Sequence, residues 1–154
     1  MIQRIQTVFL LIAELLLGIF YVVPFAEIPG KTGIVYRADI QGIYLHGSSN
    51  PTFIQHHWPI FLFWVASLIL IFITIFSYKN RKLQIKLSIY SLLITIGLVI
   101  LTFTEVWLGS QKLSGQFSLS IYMLFPIFAA LFTFLATRAI RKDEMLVRSV
   151  DRIR

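Results

Sequence analysis

MIQRIQTVFLLIAELLLGIFYVVPFA, Met1 to Ala26, is the stretch that decides the class of fold. A basic, polar cap (Met1–Thr7) leads straight into an apolar run, Val8 to Val23, interrupted by one acid, Glu14. With Ile5 included, the run is about 19–20 residues long. At 1.5 Å of helical rise per residue, that is enough to cross a hydrocarbon core of about 30 Å. A cleaved signal peptide has a shorter apolar core followed by a small-x-small site. Pro24 ends this run instead, and the expectation is a retained membrane anchor.

Composition carries the same reading over the whole chain. Of 154 residues, 57% are hydrophobic and 14% charged, where a soluble domain averages about one quarter charged. The length suits a single integral membrane domain, residues 1–154. There is no cysteine, so disulfides, thiolate metal sites, iron–sulfur clusters and cysteine nucleophiles are excluded. The net charge is +7. A basic balance can mean nucleic acid, but these cations collect at the ends of apolar runs, which is the mark of a membrane protein. The partner expected is the lipid bilayer and not nucleic acid.

Working outward from Met1–Ala26, four spans are expected, at about 5–24, 58–78, 87–106 and 117–137. Trp58, Tyr78 and Trp107 mark interfaces. Between the first two spans, Ile34–Arg37 and Ile40–Leu45 are β-branched and aromatic and suggest a short hairpin. Pro126 lies inside the fourth span and predicts a kink or a close contact. The tail, 138–154, repeats Leu146, Val150 and Ile153 at helical spacing among charges and reads as an amphipathic helix. The fold class is therefore an all-α membrane protein, a four-transmembrane-helix bundle with a small extracytoplasmic loop cap. Arg4, the Lys79–Lys86 cluster and the basic tail place both termini in the cytoplasm.

Each span carries a stripe of small or polar residues. The stripes are Thr7, Glu14, Gly18 and Tyr21; Ser67, Thr74 and Ser77; Ser88, Ser91, Thr95, Thr102 and Glu105; Tyr122, Pro126, Ala129, Thr133 and Ala136. Small residues permit close helix approach in lipid, so the stripes are expected to face inward. Counting depth puts Glu14 level with Ser67, Thr95 and Pro126. A carboxylate at mid-bilayer costs on the order of 3 kcal/mol. Glu14, with Ser67 and Thr95 as hydrogen-bond partners, is the candidate intramembrane polar or proton site. The alternative is an acid that locks helix packing or meets a partner's cation.

Other chemistry is thinly represented. His46, His56, His57, Glu27 and Asp39 are metal-ligand types on one face, but they lack ligand spacing, and no metal site is expected. No phosphate-cradling loop, nucleophile elbow or paired carboxylates occur. No cofactor and no enzymatic activity are expected. At the cytoplasmic ends, Arg4, Arg138, Arg141, Lys142, Arg148, Asp151 and Arg152 are candidates for docking a membrane or cytoplasmic protein, or for lipid headgroups. Their mixed signs suit pairing along the helix, such as Asp143 or Glu144 with Arg148.

Both ends carry a resemblance. Met1-Ile2-Gln3-Arg4-Ile5-Gln6-Thr7 resembles the opening of the bacterial family called domain of unknown function 4293. Arg138-Ala139-Ile140-Arg141-Lys142-Asp143-Glu144, Leu146-Val147-Arg148-Ser149 and Asp151-Arg152-Ile153-Arg154 resemble its close. The resemblance implies a four-span inner-membrane protein of the Bacteroidota and supplies no activity or catalytic residue. Glu14 is outside the motif. The layout is also similar to claudins, by fold analogy alone and without their cysteine pair. Two functions are carried forward: a non-enzymatic accessory or assembly subunit of a membrane complex, and a small transporter or sensor that uses Glu14.

Overall fold

The computed structural model describes residues 2–30, 34–45, 53–113 and 116–151. Four long helices form a bundle: α1 (Ile2–Val22), α2 (Trp58–Phe76), α3 (Arg81–Leu113) and α4 (Leu124–Asp151). Each contains a segment long and apolar enough to cross a membrane. Helix α1 packs along α4, α4 along α3, and α3 along α2, while α1 and α2 meet less extensively.

A sheet closes one end of the bundle. Its strands are β1 (Ala26–Pro29), β2 (Val35–Ala38), β3 (Gly42–Leu45), β4 (Phe53–His56) and β5 (Ser118–Leu119). They lie in the order β4-β3-β2-β1-β5, and every pairing is antiparallel. The expected hairpin is present as β2 and β3. It sits at the centre of a sheet that also draws in the residues after Pro24, those before Trp58, and the second loop. Glu27 opposes Arg37 in register, and the two form an ion pair at 3.1 Å.

Helix boundaries differ from the expected spans for local reasons. Helix α3 begins at Arg81 and runs to Leu113, past both ends of 87–106. Residues 117–120 do not join the fourth helix, because Ser118–Leu119 pairs with β1. Pro126 is the third residue of α4. A first-turn N–H has no intrahelical acceptor, so proline loses nothing there. Pro126 lies in the opening turn and does not interrupt the helix.

The inward stripes hold in three helices and fail in one. In α3, Ser88, Ser91, Thr95 and Thr102 are fully buried. So are Ser67 and Thr74 in α2, and Ala129, Thr133 and Ala136 in α4. The buried face of α1 is instead Gln6, Leu10, Ala13, Leu17 and Phe20. That set recurs every three or four residues, as one helix face must. Gly18 is exposed, and Tyr122 in the fourth stripe is 37% exposed. Helix α1 lies along α4 with this face inward, and Phe9 meets Phe132 beside it at 6.2 Å.

Close approach fixes the sheet. A Cβ at Gly42 (φ +157°) would collide with the backbone carbonyl of Gln55 on β4. Gly42→Ala is expected to lower stability by about 2–3 kcal/mol, because backbone cannot move aside as a side-chain tip can. At Gly18 an added Cβ meets nothing within 4 Å. Gly18→Ala is expected to leave stability unchanged or raise it by up to about 1 kcal/mol. Thermal unfolding of both variants in the same detergent checks the contrast.

Candidate functional site

Where the sheet meets the bundle, the chain buries a histidine. His57 follows β4 and precedes the first turn of α2, and it is fully buried. Its ring lies 6.4 Å from that of Phe25, centroid to centroid. Its Nδ1 is 3.1 Å from the carbonyl oxygen of Asp39. A carbonyl only accepts, so Nδ1 carries the proton and donates. In the neutral ring, Nε2 is then a bare lone pair. Among the described residues it has no hydrogen-bond partner, and it faces Oε2 of Glu105 at 3.9 Å.

Glu105 belongs to a short polar chain. Nε2 of Gln55 donates to Glu105 Oε2 at 3.2 Å, and Lys112 Nζ donates to Gln55 Oε1 at 2.8 Å. Asp39 holds the adjoining turn by accepting from the backbone N–H groups of Gln41 and Gly42. Burial pushes the Asp39 carboxyl up, and the two backbone donors oppose that. Burial also lowers the His57 pKa, against the pull of the Asp39 carbonyl and the Glu105 carboxylate. Nε2 of the neutral ring and a carboxylate oxygen both only accept, so one proton between them would link the pair. Protonation at Nε2 would give Glu105 a charged donor.

Beside His57 is a cavity of about 280 Å³ lined by Tyr21, Gln41, His56, His57, Trp58 and Phe61. Tyr21 stacks on Trp64 at 4.8 Å and accepts from Gln41 Nε2 at 3.1 Å. Trp64 donates to the Leu17 carbonyl at 2.8 Å. These contacts tie α1 to α2 at the sheet end, where the two helices otherwise touch little. Among the described residues, no group of three or more metal-ligand types converges. His46 lies outside the described residues.

The span residues are arranged differently from the expected cluster. Glu14 is half-buried on α1, and no hydrogen bond or ion pair involves it among the described residues. Ser67 donates to Phe63 O at 2.9 Å, and Thr95 donates to Ser91 O at 2.7 Å. Both hydroxyls are used by their own helices, and neither reaches Glu14.

At the other end of the bundle, Arg138, Arg141 and Lys142 are exposed on α4 and line one cavity. The end itself is tied together. Gln6 Nε2 donates to Ala139 O at 3.2 Å, and Arg81 lies 3.5 Å from Asp143. Asp143 is thus engaged with α3. Arg4, Arg148 and Asp151 lie on described helix backbone, with their side chains outside the description, and Arg152 lies outside the described residues.

The His57–Glu105 contact was missed from sequence. Glu105 reads there as an acid near water at the end of a span. The available signal was a histidine directly before an aromatic-led helix, with an acid at the same end of another span.

These features define a multi-helix protein with four segments able to cross a membrane and an antiparallel sheet at one end. The family model described as "Domain of unknown function (DUF4293)" matches residues 2–153, and the chain belongs to that family. No curated protein matches the chain.

The buried histidine makes stability depend on pH with a definite sign. An unfolded histidine takes a proton near pH 6.5, while the folded His57 resists it. The unfolded state then binds more protons, so stability present at neutral pH is lost as pH falls through and below that value. The thermal midpoint is expected to fall between about pH 7 and pH 5. His57→Asn keeps a donor for Asp39 O and cannot titrate, and it is expected to flatten that fall. Equal slopes for the two proteins would count against the assignment.

Proposed function

We propose that the protein is a non-enzymatic accessory or assembly subunit of a membrane complex. It would sit in a bacterial inner membrane with both termini in the cytoplasm. The observation that carries the reading is the continuity of α4. The helix runs without a break from Leu124 to Asp151, so its last turns extend about 15–20 Å beyond a span that ends near Ile140. The arm is braced by α1 through Gln6 and by α3 through Arg81. A braced, charged helix is a preorganised docking element, and preorganisation lowers the entropy cost of binding.

The orientation rests on charge. Lys79, Arg81, Lys82, Lys86, Arg138, Arg141 and Lys142 belong to the arm end of the bundle, while Arg37 and Lys112 belong to the sheet end. The positive-inside rule then puts the arm in the cytoplasm. A second reading, a small transporter or sensor, is favoured by one observation. Glu14 has no partner within the described chain, and a carboxylate in a span requires a cation, a proton or a ligand.

Purification from native membranes in mild detergent is expected to recover a stoichiometric partner through the full chain and to lose it after truncation at Ile140. A lone monomer in every mild detergent would sink the first reading. Glu14→Gln keeps the shape and removes titration. Unchanged partner recovery with unchanged proton flux in liposomes would make Glu14 a packing residue. Lost flux would favour the second reading.

A further inference from the structure

A cavity of about 520 Å³ opens at the arm end of α4, lined by Phe134, Thr137, Arg138, Arg141, Lys142 and Met145. Its two parts have opposite chemistry. Arg138, Arg141 and Lys142 put three exposed cations on one helix face, with none of them in an ion pair among the described residues. Asp143, the nearest acid in sequence, is drawn away to Arg81 at 3.5 Å. Thr137 closes the floor with its hydroxyl already donated to Thr133 O at 2.8 Å. Phe134 and Met145 are exposed apolar walls.

The apolar wall continues along the helix. Ile127, Leu131 and Phe134 are all exposed, and with Arg138, Arg141 and Met145 they follow one line at spacings of three and four. At 1.5 Å per residue, Ile127 and Arg138 are about 16 Å apart along the axis. One leaflet of hydrocarbon is about half of 30 Å. The cations therefore stand at headgroup level above an apolar track one leaflet deep. Free phosphate would use only the cations. A lipid would use both parts.

We propose that this face of α4 is a binding site for an anionic phospholipid. Arg138, Arg141 and Lys142 hold the phosphate headgroup, and an acyl chain lies along Phe134, Leu131 and Ile127. Guanidinium forks match phosphate oxygens in pairs, and the lysine adds a third charge. A net-neutral headgroup brings its own cation and gains less. The site stands independently of the partner reading, because it uses the first turns of the arm and leaves the helix beyond Met145 free for a protein.

The test is native mass spectrometry of the full chain in nonionic detergent, titrated with phosphatidylglycerol or phosphatidylcholine. The wild type is expected to retain one phosphatidylglycerol in preference to phosphatidylcholine, and millimolar inorganic phosphate is expected not to displace it. Arg138→Gln with Arg141→Gln is expected to weaken retention about tenfold or more. Lys82→Gln with Lys86→Gln removes the same charge elsewhere and is expected to leave retention unchanged. Arg138→Lys with Arg141→Lys keeps the charge without the fork and is expected to restore retention in part. Should the glutamine pair fail to fold, Lys142→Gln alone reads in the same direction, since this side chain is exposed. Equal retention of both lipids would overturn the proposal. So would equal loss in the two glutamine pairs, or displacement by inorganic phosphate.

Discussion

A hydroxyl in a membrane span must give its proton to some acceptor, and in α3 it gives it to the turn below. Ser91 donates to Ser88 O, Thr95 to Ser91 O and Thr102 to Leu98 O, at 2.7–2.9 Å. Each bond satisfies the polar group inside its own helix. What remains outward is a small, smooth face. That is the surface helices need in lipid, where hiding leucine from leucine gains nothing. Helix α3 can therefore serve as the shared wall between α2 and α4. Thr137 of α4 adds the cross-link, its hydroxyl 3.4 Å from Ser88 O.

The same helix positions the sheet. Its 33 residues measure about 50 Å at 1.5 Å each, well beyond the hydrocarbon core. The excess at the sheet end carries Glu105, Gly109 and Lys112. An added Cβ at Gly109 would meet Ile43 Cδ1 at 2.6 Å and Ile28 Cδ1 at 3.6 Å. The glycine lets two strands settle directly on the helix. That contact brings Gln55 over Glu105 and closes His57 in beneath the sheet.

The spans were legible because about 20 consecutive apolar residues leave few alternatives. The α3 stripe was legible because its polar residues recur at helical spacing. In α1 the same argument misled. Glu14 and Gly18 drew attention as unusual residues, yet what packs is the Leu10, Ala13, Leu17 and Phe20 face, which looks like any lipid-facing leucine run. The hairpin was visible in its β-branched residues. Strands β1 and β5 were not, since one contains Pro29 and the other is two residues long. Pairings of residues 26–27 with 118–119 are set by helix packing and not by local propensity. His57 and Glu105 are far apart in the chain for the same reason.

The two ends of the bundle treat charge in opposite ways. At the arm end the cations are left exposed and in excess. At the sheet end a titratable ring is buried, and its neighbours decide what it can hold. The Asp39 carbonyl fixes the tautomer, so Nε2 cannot donate while the ring is neutral. Gln55 donates one amide hydrogen to Glu105 and accepts a hydrogen bond from Lys112. A protonated ring would complete the chain from Asp39 through His57, Glu105 and Gln55 to Lys112 with every donor matched to an acceptor. A neutral ring leaves one gap, at 3.9 Å. Burial works against the proton and geometry works for it.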